Sequence, residues 1–176
     1  MSMKIYIAGT HIYSPSFYAE LHRCIHRDIR NKEVIALLPD EKSTKRSSSV
    51  YKVNIELIKQ CDGIIADVNP YRGELEPDSG TVFEIGFAKA LNKQIVFILE
   101  DLRTVKEKMN DSSFGCYQVG QVWRDNDGDF IENYHLPLNS VLFHAADQIV
   151  STMEEAFGYF QQLGNLSTTA KTSNSE

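Results

Sequence analysis

Four short runs of aliphatic and β-branched residues constrain this chain more than any other feature. They lie at residues 4–8, 33–38, 63–68 and 94–99, and are followed by Gly9, Pro39, Asn69 and Glu100. Runs of this length, mostly apolar and not alternating, are the pattern of strands buried on both faces. Between them the period changes to that of a helix. Ser14-Pro15 reads as a helix start, and Phe17, Leu21, Cys24, Ile25 and Ile29 follow at spacings of three and four. Val53, Leu57 and Ile58 mark a second helix over residues 50–61, ended by Asp62-Gly63. A third spans about residues 81–91, turned into the fourth strand by Asn92-Lys93. Strands alternating with helices predict a parallel sheet with helices on both faces and right-handed crossovers.

Composition bounds what that sheet can serve. At ~150 residues per domain, 176 residues make one domain. A chain of this size buries about 70% of its unfolded surface, enough for a core without disulfides. Lys and Arg total 18 against 24 Asp and Glu, a net charge of −6. That balance opposes a protein that tracks a phosphate backbone, but not one that takes small nucleosides. No apolar run reaches the ~18 residues of a membrane span, and the amino terminus reads as a first strand, not a signal peptide. Cys24, Cys61 and Cys116 are odd in number and far apart, as in a reducing cytosol.

After residue 99 the pattern weakens. Residues 101–133 read as a charged insertion with a short hairpin around residues 123–131, turning at Asp125-Asn126-Asp127-Gly128-Asp129. Residues 139–160 read as one final helix with Val141, Leu142, Ala145, Ile149, Met153 and Phe157 inward. Residues 41–49 are a charged, serine-rich loop, and residues 165–176 a disordered polar tail beyond a domain of residues 1–164.

In an open α/β sheet, ligands gather at the carboxyl ends of the strands. The richest such segment is residues 69–80 together with the helix start that follows. Asp78 falls on the loop and Glu84 near the first turn of the helix, where the dipole favours an ionised carboxylate. Two carboxyl groups at one crevice are what covalent glycosyl transfer needs, one attacking the sugar carbon and one protonating the leaving group. A plainer reading stands beside it: Thr81-x-x-Glu84 is also a capping box, and Asp78 also fits a turn. There is no GxGxxG after the first strand and no GxxxxGK[ST], and the five histidines form no metal-ligand group.

These segments resemble the nucleoside 2-deoxyribosyltransferase family. The resemblance rests on Lys4-Ile5-Tyr6-Ile7-Ala8-Gly9, on Cys61-Asp62-Gly63-Ile64-Ile65-Ala66-Asp67-Val68-Asn69-Pro70-Tyr71-Arg72-Gly73, on Pro77-Asp78-Ser79-Gly80-Thr81-Val82-Phe83-Glu84-Ile85-Gly86-Phe87-Ala88, and on Leu136-Pro137-Leu138-Asn139. It implies a flavodoxin-like (Rossmann-type) parallel sheet of about five strands with helices on both faces. It also implies exchange of the base of a 2′-deoxynucleoside for a free purine or pyrimidine base, with retention and with neither metal nor organic cofactor. Glu84 matches the nucleophile, Asp78 the acid that handles the leaving or incoming base or holds the sugar, and Tyr6 the tyrosine that orients the nucleophile. Tyr6 also fits a plain core aromatic. Asn139 matches an asparagine sent into a neighbouring subunit's site, which implies a homodimer or a multiple of dimers; it equally fits a helix N-cap. Gly9, Thr10 and Tyr13, with Pro39 and Asp40, are expected to line the base pocket, Tyr71 and Arg72 to close over it, and Asn54 and Gly80 to touch substrate. The alternative activity is hydrolysis of a 2′-deoxynucleoside or its 5′-monophosphate, with Arg46 and Ser47–Ser49 near the phosphate. A non-catalytic nucleoside-binding domain is the reading from another class.

Overall fold

The computed structural model describes residues 2–10, 14–31, 34–38, 47–73 and 75–172. The four expected strands form: β1 (Met3–Ala8), β2 (Val34–Leu37), β3 (Gly63–Asp67) and β4 (Gln94–Ile98). The helices between them are α1 (Pro15–Asn31), α2 (Ser47–Gln60) and α3 (Ser79–Ala90). Pro15 takes the first position of α1, and the Ser14 hydroxyl accepts from the Phe17 amide at 3.3 Å, so the serine caps as its pattern suggests. The fifth strand is β8 (Gln148–Val150), and the order β2-β1-β3-β4-β8 is parallel throughout. Chain order reverses between β1 and β3, as in flavodoxin-like sheets.

The sheet is covered on both faces, which explains why its strands are not amphipathic. Tyr6, Ala8, Ile64 and Ala66 point to a core closed by α2 and α3. Ile5, Ile7 and Ile65 point the other way, to Leu21 and Cys24 of α1 and to Phe157 and Phe160 of α6 (Met153–Thr172). Gly63 permits that second layer to sit close. A Cβ there would collide with the Phe160 ring and stand 3.0 Å from the Gln94 carbonyl. Gly9 ends β1 with φ +134°, and a Cβ there would lie 2.8 Å from that of Asp67, so the carboxyl ends of β1 and β3 approach as only glycine allows.

Two expectations for the carboxyl-terminal third are corrected. Residues 139–160 are not one helix. They hold α5 (Ser140–Phe143), strand β8 and the start of α6. Asp147 makes the break: its amide donates to the Ile95 carbonyl at 2.8 Å, and its carboxylate accepts from the Ile95 amide at 2.7 Å. That pair docks β8 on β4. Val141, expected inward, is 80% exposed. The polar tail expected from residue 165 is helical as far as Thr172, because α6 continues.

The insertion carries α4 (Val105–Asp111) and a three-stranded antiparallel sheet of β5 (Tyr117–Val119), β6 (Val122–Arg124) and β7 (Phe130–Ile131). The expected hairpin is β6–β7, with Trp123 opposite Ile131 and its turn held by Asp125 accepting from the Asp127 and Asp129 amides. The Lys106 ammonium lies 3.7 Å from the Trp123 ring centre and ties this small sheet to α4. Among the described residues no helix is long and apolar enough to cross a membrane.

Candidate active site

The site is assembled from one strand and two helices on the α2–α3 face of the sheet. Tyr6 is wholly buried in β1, and its hydroxyl donates to Glu84 Oε1 at 2.9 Å. Asn54 of α2 donates its Nδ2 to the same oxygen at 2.8 Å. Glu84 Oε2 accepts no hydrogen bond from any described residue. One carboxylate oxygen is therefore held from two sides, and the other is left for chemistry.

The start of α3 decides where Glu84 points. Asp78, not Thr81, is the N-cap: its Oδ2 accepts from the Thr81 amide at 2.9 Å and from the Thr81 hydroxyl at 3.2 Å. The capping-box reading of Thr81 and Glu84 is thereby overturned. Glu84 falls in the second turn, too far along to reach back to the cap, and turns inward to Tyr6. Gly80 makes the tight cap possible, since a Cβ there would stand 3.0 Å from Asp78 Oδ2. Asp78 Oδ1 takes no bond from a described residue.

Electrostatics set the Glu84 carboxyl above its ordinary value. Burial pushes its carboxyl up, the bonds from Tyr6 and Asn54 pull it down by less, and the charge of nearby Asp78 adds to the rise. Beside it opens a cleft of about 380 Å³, walled by Val50, Tyr51, Ile55 and Phe83 with Gly80 at its edge. The Tyr51 and Phe83 rings stand 6.1 Å apart across it, both more than half exposed. A partly buried carboxylate with one unpaired oxygen, an apolar wall and a second acid nearby has the parts of a nucleophile with an acid partner.

Gly9, Arg72 and Asn139 do not line the Glu84 cleft. Gly9 closes on Asp67 at the strand ends. Arg72 is exposed, in the left-handed region at φ 54°, with its guanidinium 4.9 Å from the Tyr71 ring centre. Asn139 is exposed and caps α5, accepting from the Val141 and Leu142 amides and donating to Glu132 Oε1 at 2.8 Å. Tyr13, His11, Pro39, Asp40 and Arg46 lie outside the described residues, as do the side chains of Ser47–Ser49. Among the described residues no group of three His, Cys, Asp or Glu side chains is placed to hold a metal ion.

Sequence reasoning passes over one buried acid. Asp67 ends β3 only 4% exposed and accepts from both nitrogens of Asn69. Asn69 in turn accepts from the Glu100 amide at 2.9 Å, joining the ends of β3 and β4. Asp67 borders a larger cleft of about 620 Å³ on the α1–α6 side, with Arg23, Glu20, Glu100 and Asp101. An acid closing an otherwise apolar strand, directly after Gly63-Ile64-Ile65-Ala66, was the available signal.

A family model described as nucleoside 2-deoxyribosyltransferase matches residues 5–156, which include Tyr6, Asp78, Glu84 and Asn139. The chain belongs to the nucleoside 2-deoxyribosyltransferase family. Its fold agrees with that membership. It is similar to the solved 2-desoxiribosyltransferase from Leishmania mexicana at 31% identity and TM-score 0.72, over 91% of this chain and 97% of that one. A conserved protein from Enterococcus faecalis V583 shares the fold at 18% identity and TM-score 0.56, over 92% of this chain and 99% of that one. No curated protein sequence matches the chain significantly. Membership makes this a glycosyl-transfer enzyme of the deoxyribosyltransferase type, with nucleosides and bases as its substrate class.

Proposed function

We propose that the chain exchanges the base of a 2′-deoxynucleoside through a covalent deoxyribosyl intermediate on Glu84. The observation that carries this reading is the Glu84 carboxylate, fixed through Oε1 by Tyr6 and Asn54 beside an apolar cleft and a second acid. In the first step a Glu84 oxygen bonds to C1′ as the C1′–N bond breaks. The electron pair leaves with the base, and Asp78 delivers a proton to the base nitrogen. In the second step a nitrogen of the incoming base attacks C1′, the Glu84 ester bond breaks, and Asp78 takes the proton back. Two inversions at one carbon give net retention.

Substrate contacts complete the reading. Gly9 and Gly80 border the bound nucleoside, Arg72 with Tyr71 closes over the base, and Asn139 binds the sugar hydroxyls from a second copy of the chain. The deciding assay incubates the protein with deoxyinosine or thymidine, with and without adenine. New deoxynucleoside only in the presence of adenine is the expected result. Free deoxyribose in both tubes replaces transfer by hydrolysis. E84Q is expected to lose all turnover, and near-native activity of that variant removes Glu84 as nucleophile.

A further inference from the structure

We infer that Asn54 is a positioning residue that selects which Glu84 oxygen attacks. The inference rests on the reading of Glu84 as nucleophile. Both donors, Tyr6 Oη and Asn54 Nδ2, converge on Oε1 from different elements, and Oε2 takes no bond from any described residue. A carboxylate held at one oxygen by two donors cannot rotate about its terminal bond without breaking both. Oε2 is then the atom presented to the sugar carbon.

The second observation concerns the other end of the same amide. Asn54 Oδ1 is shut away from solvent and has no hydrogen-bond partner among the described residues. A buried carbonyl oxygen without a donor is costly. Turning the amide over would bring Oδ1 against Glu84 Oε1, two acceptors face to face. The carboxylate therefore fixes the amide's orientation, and the orphaned oxygen is what that orientation costs. A side chain serving only stability is better replaced here by an apolar one, because the residues next to Asn54 and Glu84 in sequence, Ile55 and Ile85, are buried apolar ones. An unpaired buried group retained beside a nucleophile is the expected mark of a residue serving the site.

The chemistry gives both donors work in each half-reaction. As Oε2 bonds to C1′ and the C1′–N pair leaves with the base, Oε1 becomes the carbonyl oxygen of the ester. When the incoming base attacks C1′, the Oε2–C1′ pair returns to the carboxylate and charge reappears on Oε1. Asn54 and Tyr6 stabilise that returning charge where it develops.

The test is the pH profile of kcat/KM for N54A, N54D and Y6F against the wild type, with base exchange as the readout and melting temperature measured in parallel. The acid limb reports the free enzyme's essential carboxylate. N54A is expected to lower kcat by about 10-fold or more, with KM little changed, and to move the acid limb to higher pH, since a donor that favours the ionised form is gone. Y6F is expected to move the limb the same way. N54D, almost the same shape as asparagine but bearing a negative charge, is expected to move it further. A merely structural asparagine alters the melting temperature and leaves the limb where it is. If N54A fails to fold, N54D decides by the same limb. Wild-type kcat and an unmoved limb in the folded variants overturn the inference. Retained activity in E84Q overturns instead the nucleophile reading on which it rests.

Discussion

At the scale of single residues, the site turns on a carboxyl group held above its usual value. Glu84 is pushed up from about 4.5 chiefly by burial. The folded chain then keeps a proton that the unfolded chain has released, over the window from 4.5 to the raised value. Stability falls as pH rises through that window, and the loss is complete above it. E84Q does not titrate and can still accept both hydrogen bonds at its amide oxygen. It should melt higher than the wild type at neutral pH, by about 2–4 °C for each kcal/mol recovered, and the gain should vanish below about pH 4.5. Thermal melts of both proteins from pH 4 to 8 check this; a gain that is largest at low pH contradicts it. Asp78 carries two duties that mutation can separate. D78N keeps an N-cap oxygen for Thr81 but removes the acid, so it should fold normally and turn over about 10²-fold more slowly. D78A also removes the cap and should lose about 1 kcal/mol of stability as well. Equal melting temperatures for the two variants remove the cap from the account.

At the scale of elements, legibility follows how much of an element's burial is local. β1, β3 and β4 are sandwiched between helix layers, so the middle of each run is apolar on both faces and the run announces itself. β8 is three residues long and pairs only with β4, and its neighbours Ala145, Ala146 and Met153 continue a helical spacing by coincidence. The tertiary bond between Asp147 and Ile95 that breaks the helix has no local trace. One trace was legible: Thr152-x-x-Glu155 is an N-terminal signature, and Glu155 accepts from the Ser151 and Thr152 amides. The site divides in the same way. Glu84 and Asp78 stand out by spacing, whereas the true cap and the role of Asn54 depend on which helix packs against which. The sheet also yields a prediction of its own. G63A should be destabilised despite alanine's lower backbone entropy, because its methyl group meets the Phe160 ring and the Gln94 carbonyl. Overpacking of this kind costs about 1–3 kcal/mol. A denaturant midpoint at or above wild type shows that α6 moves away freely.

At the scale of the whole molecule, the proposed sugar contact of Asn139 calls for a second copy of the chain. Asn139, assigned to the sugar, caps α5 on the surface beside Val141, which is 80% exposed. The walls of the Glu84 cleft are likewise open, with Tyr51 at 56% and Phe83 at 52% exposure. A second copy that lays α5 against the α2–α3 face would cover apolar surface on both sides and complete each site with the other chain's asparagine. A twofold dimer does this twice with one contact. The consequence is quantitative. E84A and N139A, each weak or dead alone, are mixed, dissociated and reassembled. Random pairing makes about half of the dimers mixed, and in each mixed dimer one site carries both changes and the other neither. Activity should therefore rise above the mean of the two parents toward about a quarter of wild type. Sites built within one chain give no such rise, because every chain in the mixture carries a defect. Activity at the parental mean, in a mixture shown by mass to contain mixed dimers, assigns the sugar contact to the same chain that supplies Glu84.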